Sequence, residues 1–162
     1  MNQSLLGAVI AALLVWEALL LIPMVPGKLI DTRDFSPLPR WQFNSFNVYL
    51  TSLGLASFVV AGFAMAGEHW AFVAALVLSI GYIAVFAADL GAVFPVVPDP
   101  LPVQLLVLEA IALASAGVIA VVAIQGVRLC ATGPRVPRAG RTRARRSSKP
   151  PPPSYLSSAG AV

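Results

Sequence analysis

Long apolar runs, separated by short polar segments, dominate the chain. Four such runs cover roughly residues 5–25, 42–65, 70–94 and 102–127. Each has about 20 residues or more, and an α-helix of that length crosses a hydrocarbon core of about 30 Å at a rise of about 1.5 Å per residue. The pattern therefore predicts an all-α integral membrane protein with four transmembrane helices packed as a bundle.

Composition agrees with a membrane protein. The chain is 58% hydrophobic and 11% charged, whereas soluble domains are about 25% charged. We expect the first run to be retained as a span rather than removed as a signal peptide. The preceding MNQS has no Lys or Arg, and the run is longer than the apolar region of a signal peptide.

The region after the last apolar run has a different composition. Residues 128–162 are rich in Arg, Pro and Ser and have few apolar residues to bury. Such a segment is predicted to be a disordered tail. Its basic half directly follows a predicted span, so we expect it to contact anionic membrane lipids. Nucleic acid is not expected as a partner.

The distribution of basic residues predicts the orientation of the helices. Eight of the eleven Lys and Arg residues follow residue 127, and the other three lie between the first two predicted helices. The positive-inside rule therefore places the tail in the cytoplasm. With four spans, the N-terminus is also cytoplasmic, and the loops at 26–41 and 95–101 face outward. The bias towards Ala, Val, Arg and Pro favours a bacterial plasma membrane.

Carboxylates interrupt three of the apolar runs. Glu17, Asp89 and Glu109 are each expected roughly 10 Å below the outer end of a helix. The second helix contributes polar residues at helical spacing, namely Asn44, Asn47 and Thr51. Each helix is therefore predicted to add a polar group to one layer inside the bundle.

This predicted layer has two interpretations. A charged side chain at the centre of a bilayer costs about 2.5–3.5 kcal/mol on insertion scales. The layer is therefore either a site for a ligand, ion or proton, or a set of hydrogen bonds that hold the helices together. The first interpretation is favoured because ionisable residues within membranes usually serve a function.

Two segments of the chain resemble each other. EALLLIPMVP begins at Glu17 and DLGAVFPVVP begins at Asp89, and both read acid, five residues, Pro, one residue, Val, Pro. The similarity predicts two hairpins related by an axis along the membrane normal. In such a repeat Glu17 and Asp89 are equivalent, and Asn47 lies close to Glu109.

The first outer loop has an insert at 27–36 that the second loop lacks. The charged residues in and just after this insert are Lys28, Asp31, Arg33, Asp34 and Arg40. Arg33 or Arg40 is predicted to fold inward and pair with Glu17 or Glu109, because a guanidinium group suits two-pronged carboxylate contacts. The insert would then act as a lid. The alternative is a solvated loop whose charges pair with one another.

Several chemistries are excluded by residue counts. Cys130 is the single cysteine, so the chain has no intramolecular disulfide and no paired-thiol centre. His69 is the single histidine, which excludes multi-histidine metal sites and bis-histidine haem ligation. We therefore expect no catalytic residues, no metal and no cofactor, and the chain is not expected to be an enzyme.

Two classes of function fit these observations. In the first, the chain is an accessory or scaffold subunit of a larger membrane complex, or forms a homo-oligomer. In the second, it binds or transports a small cation, a proton or a polar ligand through an acidic outer vestibule. Four helices are few for a stand-alone alternating-access carrier, whose repeats are larger. The first class is therefore favoured.

Overall fold

The computed structural model describes residues 3–24 and 30–132. These residues form four α-helices, with bounds α1 Gln3–Met24, α2 Arg40–Met65, α3 His69–Leu90 and α4 Val103–Thr132. Each helix is long and apolar enough to cross a membrane. The prediction of an all-helical chain with four such helices is confirmed.

The helices form an antiparallel four-helix bundle with a square cross-section. α1 and α3 each pack against both α2 and α4, whereas α1 barely touches α3 across the diagonal. The loops at 30–39 and 91–102 lie together at one end of the bundle, here called the two-loop end. The opposite, single-turn end contains the turn at 66–68, the start of α1 and the end of α4.

The predicted third span, 70–94, is wrong at its end, because α3 stops at Leu90. Ala92 adopts a left-handed conformation with φ of 51°. The Val93 N–H donates to the Ala88 carbonyl over 2.8 Å, and the Ala92 N–H donates to the Asp89 carbonyl over 2.9 Å. This Schellman motif satisfies the last carbonyls of α3 and ends the helix within an apolar stretch. Asp89 therefore lies in the last turn of α3 and not 10 Å below its end.

The fourth helix also departs from its predicted bounds. α4 continues to Thr132, so the first residues assigned to the disordered tail, from Arg128 onward, are helical. Residues 133–162 lie outside the described residues, and the predicted disorder of the tail remains a prediction. The repeat also remains a prediction, and Glu17 and Asp89 differ in setting. Glu17 is about two turns from the end of α1, whereas Asp89 is next to the last residue of α3.

Small residues allow the helices to approach closely. A Cβ atom on Gly7 would lie 2.2 Å from the carbonyl oxygen of Ala64, so the backbones of α1 and α2 are in contact near the single-turn end. The ring of Phe72 in α3 lies against Gly126 of α4, 2.2 Å from where a Cβ atom would be. Contacts of this kind replace the hydrophobic driving force that is absent between helices in lipid.

The interior is divided into two apolar cores. One core, built around Leu6, Ile10 and Phe72, fills the single-turn end. The other, built around Leu21 and Phe86, lies towards the two-loop end. Between them is a mid-bundle polar level to which every helix contributes one buried or half-buried residue: Glu17, Ser57, Ser79 and Ser115.

Candidate functional site

Arg33 reaches from the loop at 30–39 into the two-loop end of the bundle. Only 7% of the residue is exposed. Its Nε and Nη2 atoms donate to the two carboxylate oxygens of Asp31 over 2.8 and 2.9 Å. Its Nη1 and Nη2 atoms donate to the two carboxylate oxygens of Asp89 over 2.8 and 2.9 Å. One guanidinium group therefore joins the loop to the end of α3 through two bidentate contacts.

Residues close to Arg33 in the sequence also hold its guanidinium group in place. Asp31 lies two residues earlier and accepts a hydrogen bond from the Arg33 backbone N–H over 3.3 Å. The guanidinium carbon lies 5.4 Å from the ring centre of Phe35, within range of a cation–π contact. Burial acts to lower the pKa of Arg33, but the hydrogen bonds to Asp31 and Asp89 outweigh it and raise the pKa. Arg33 therefore remains a cation in the folded protein.

A second contact joins the two loops at this end. The Asp34 backbone N–H donates to the Asp99 carboxylate over 2.8 Å. The Asp34 carboxylate accepts hydrogen bonds of 2.9 Å from the Ser36 backbone N–H and from its hydroxyl group. These bonds, the backbone bond first, hold the pKa of Asp34 below its usual value. The loop at 30–39 is thus held by hydrogen bonds of two residues, the buried Arg33 and the exposed Asp34.

The predicted partners of the inward-folding arginine were wrong. Arg33 does fold inward, but it pairs with Asp31 and Asp89 rather than with Glu17 or Glu109. Arg40 is exposed at the first residue of α2. The physical reason is the early end of α3, which brings Asp89 level with the loop. Asp34 is exposed, and Lys28 lies outside the described residues.

Glu109 lies directly inside this ion-pair cluster. Only 3% of the residue is exposed. Glu109 lines the same small cavity as Asp89, and its Oε2 atom has no hydrogen-bond partner. Glu109, Asp89 and Asp31 line one side of an inner cavity of about 20 Å³, whose other walls are apolar side chains of α1, α2 and α3. This cavity has room for about one water molecule.

A larger cavity lies on the outer side of the same cluster. This vestibule has a volume of about 230 Å³ and is lined by Arg33, Asp89 and Asp99 together with apolar residues of the 91–102 loop. Asp89 lines both the vestibule and the inner cavity. Asp89 is therefore the residue that lies between the vestibule and the cavity beside Glu109.

The cluster has more acids than bases. Three carboxyl groups, from Asp31, Asp89 and Glu109, surround the single guanidinium group of Arg33. Among residues 3–24 and 30–132, no three His, Cys, Asp or Glu side chains have the arrangement of a metal site. A proton is the cation that this arrangement suits, because two adjacent carboxyl groups can share it.

Glu17 belongs to the mid-bundle polar level and not to the Arg33 cluster. Its Oε1 atom accepts a hydrogen bond from the Ser115 hydroxyl group of α4, whereas its Oε2 atom has no partner. Ser115 follows Glu109 by six residues, about 9 Å along α4. The polar residues that were predicted to form one layer therefore lie at two levels. Glu17 lies in the mid-bundle polar level, whereas Asp89 and Glu109 lie at the two-loop end.

The mid-bundle polar level contains two serines, Ser57 and Ser115, that the sequence patterns did not single out. The hydroxyl groups of Ser57 and Tyr82 lie 2.9 Å apart and join α2 to α3, and both residues are fully buried. Seven-residue spacing places Tyr82 on the same helical face as Asp89 and predicts that it hydrogen-bonds into the polar layer. The spacing of Ser57 and Ser115 does not distinguish them from other serines.

The asparagines of α2 do not join either level. Asn44 is exposed, and Asn47 is half-buried. Asn47 and Thr51 instead line a groove of about 200 Å³ on the outer surface between α1 and α2, here called the α1/α2 groove. Its other lining residues are small or apolar: Ala18, Leu21, Ile22, Leu50, Gly54, Leu55 and Phe58. The Oδ1 atom of Asn47 is buried there without a hydrogen-bond partner.

Comparison with known protein families assigns this chain to one of them. The profile of a family described as a domain of unknown function, DUF8051, matches residues 6–145 and so spans all four helices. The chain belongs to the DUF8051 family. No curated protein and no solved structure matches this DUF8051 chain. The roles of its residues are therefore inferred from the contacts and cavities of the site.

The Arg33 cluster is expected to contribute strongly to the stability of the DUF8051 protein. Arg33→Leu leaves Asp31 and Asp89 buried without their partner, which costs about 3–5 kcal/mol. Arg33→Lys should lie between this variant and the wild type, because an ammonium group cannot form the two bidentate contacts. Unfolding in detergent, followed by helical circular dichroism, measures the difference. The control is Arg40→Leu, an exposed position expected to change stability little, and equal stability of the two leucine variants would contradict this account.

Glu17 is expected to act as an interhelical hydrogen-bonding residue. Glu17→Gln retains an acceptor for Ser115 and should unfold close to the wild type. Glu17→Ala should lose about 1 kcal/mol, as should Ser115→Ala, because each removes the same hydrogen bond between α1 and α4. The double variant should therefore cost less than the sum of the two. If Glu17→Gln destabilises the bundle as much as Glu17→Ala, the charge of Glu17 and not its hydrogen bond is what matters.

Proposed function

We propose that this protein is a multi-pass membrane protein that acts as an accessory subunit of a larger membrane complex. In this proposal the α1/α2 groove receives one transmembrane helix of a partner protein. The observation that carries it is the α1/α2 groove itself, in which the polar residues Asn47 and Thr51 lie among small and apolar residues on the outer surface of the bundle.

Membrane insertion is supported by the outer surface of the bundle. Each helix exposes large apolar side chains, and Ile22, Leu55, Val77 and Val121 are each more than half exposed. A surface of this kind is stable when lipid covers it, because the backbone polar groups are already satisfied within the helices. Trp41 and Trp70 lie at the starts of α2 and α3, at opposite ends of the bundle. Tryptophan favours the two membrane interfaces.

The proposed orientation follows from the basic residues. Eight of the eleven Lys and Arg residues follow residue 127, so the positive-inside rule places the single-turn end and the tail in the cytoplasm. The two-loop end, with the vestibule and Arg33, then faces outward. We assign the protein to a bacterial plasma membrane, with the basic tail contacting anionic lipids.

The α1/α2 groove has the chemistry of a helix contact. In lipid, the carbonyl of Asn47 finds no donor from acyl chains, and an unsatisfied polar group there is costly. In the proposal, a partner helix places a polar side chain beside Asn47 and Thr51, the two polar residues that line the groove. Ala18 and Gly54, which line the groove, allow another backbone to approach closely, as small residues do between membrane helices.

A partner helix fits the groove better than a second copy of this chain does. Leu55 and Phe58 are bulky, exposed residues that form part of the groove lining. A two-fold pair would place two copies of each of these bulky side chains in one interface. A single partner helix with a smaller surface fits the groove and places a polar side chain beside Asn47 and Thr51.

Site-specific photo-crosslinking in intact cells tests the docking proposal. A photoreactive residue at Thr51 should give a discrete adduct with one other membrane protein, and Asn47→Leu should remove that adduct while leaving the expression of the protein unchanged. The control position is Val77, which is 64% exposed on α3 and lies outside the groove. An adduct with a second copy alone, or equal adducts at Thr51 and Val77, would contradict the proposal.

Cysteine labelling tests membrane insertion and orientation. In a Cys130→Ser background, Ser36→Cys places a thiol at the two-loop end and His69→Cys places one at the single-turn end, and both positions are exposed. A membrane-impermeant maleimide added to intact cells should label the first variant and not the second until the cells are lysed. The reverse pattern would overturn the orientation, and labelling of neither or both variants in intact cells would contradict the proposed insertion.

A further inference from the structure

The Asp89–Glu109 pair has a feature that the helix-docking role does not explain. Glu109 is a carboxyl group with 3% exposure, and its Oε2 atom has no partner. It lines the inner cavity, which has room for about one water molecule. A buried carboxylate without donors or a counter-ion is strongly unfavourable, whereas the neutral acid is tolerated and can donate a hydrogen bond.

The groups that face Glu109 decide how the carboxyl pair is charged. Asp89 approaches from α3, while Asp31 and Arg33 approach from the loop at 30–39. The walls contributed by α1 and α2 are apolar: Leu21, Met24, Phe46 and Leu50. Arg33 directs its hydrogen bonds to Asp31 and Asp89 and not to Glu109. Glu109 has no ion-pair partner among the described residues, so it is the member of the pair that takes a proton.

We propose that Asp89 and Glu109 form a proton-binding site, in which Glu109 holds the proton and donates it in a hydrogen bond to the Asp89 carboxylate. A hydronium ion in the vestibule donates its proton to the Asp89 carboxylate and remains there as water. Asp89 then passes the proton to the Glu109 carboxylate and is a carboxylate again. With Glu109 neutral, the cluster of Asp31, Arg33, Asp89 and Glu109 has one net negative charge. Loss of the proton increases this to two.

Protonation of Glu109 affects how firmly the loop at 30–39 is held to α3. When Glu109 is ionised, three carboxylates compete for the guanidinium group of Arg33, and the Arg33–Asp89 contact weakens. Asp89, one partner in this contact, lines both the vestibule and the inner cavity. The protonated state therefore favours the loop position in which Arg33 pairs with Asp89. The inference does not depend on the α1/α2 groove, which lies on a different surface of the bundle.

Infrared difference spectroscopy of the full chain in liposomes tests this site directly. The carbonyl stretch of a protonated carboxylic acid should be present at neutral pH, shift in D₂O and disappear as the pH is raised. Glu109→Gln should remove this band, and Asp89→Asn should shift it because the hydrogen-bond acceptor changes. Glu17→Gln is the matched control, since it alters the other buried glutamate on the helices and should leave the Glu109 band in place.

The outcomes separate a proton site from a structural residue. If Glu109→Gln folds with wild-type helical content and removes no protonated carboxyl band, Glu109 is ionised and the proposal is wrong. If the band is lost in Glu109→Gln but unaffected by Asp89→Asn, the proton on Glu109 is not hydrogen-bonded to Asp89, and the proposal of a paired site is wrong. Should Glu109→Gln fail to fold, Glu109→Asp is used in its place, because it keeps the acid and should shift the band. An unshifted band in that variant would also overturn the proposal.

Discussion

The two-loop end of the bundle depends on the pairing of one guanidinium group with two carboxylates. Removing Arg33 from water is costly, and four hydrogen bonds of 2.8–2.9 Å to Asp31 and Asp89 offset that cost. The pairing holds the loop at 30–39 against the end of α3, and both of its aspartates line the inner cavity beside Glu109. Without it, the loop would lose its buried connection to α3.

A second constraint acts at the middle of the bundle. The polar level that contains Glu17 and Ser57 separates two apolar cores, and its hydrogen bonds join α1 to α4 and α2 to α3. If a helix moved by one turn along its neighbour, these polar groups would lie against leucine and alanine side chains. Hydrogen bonds of about 1 kcal/mol each contribute modestly to stability in membranes. Their position favours one register of the four helices over its neighbours.

The sequence predicted some of these features and not others, for physical reasons. Hydropathy alone predicts four helices because each apolar run is as long as a membrane-spanning helix. The end of α3 was not predictable from hydropathy, because the residues after Leu90 remain apolar and a left-handed Ala92 ends the helix. Helical spacing showed that Asn44 and Asn47 share a face, but not that this face points outward. Alternating charge indicated that an arginine folds inward, whereas its partner depended on where α3 ends.

The connection between Arg33 and Asp89 has a consequence for biogenesis. Asp31 and Arg33 precede α2, whereas Asp89 lies at the end of α3 and is synthesised much later. The first two helices are therefore synthesised with an arginine loop that has one of its two carboxylate partners. The third helix supplies the other partner. Completion of the ion pair thus joins the two halves of the chain, and a protein truncated after α2 would keep Arg33 incompletely paired.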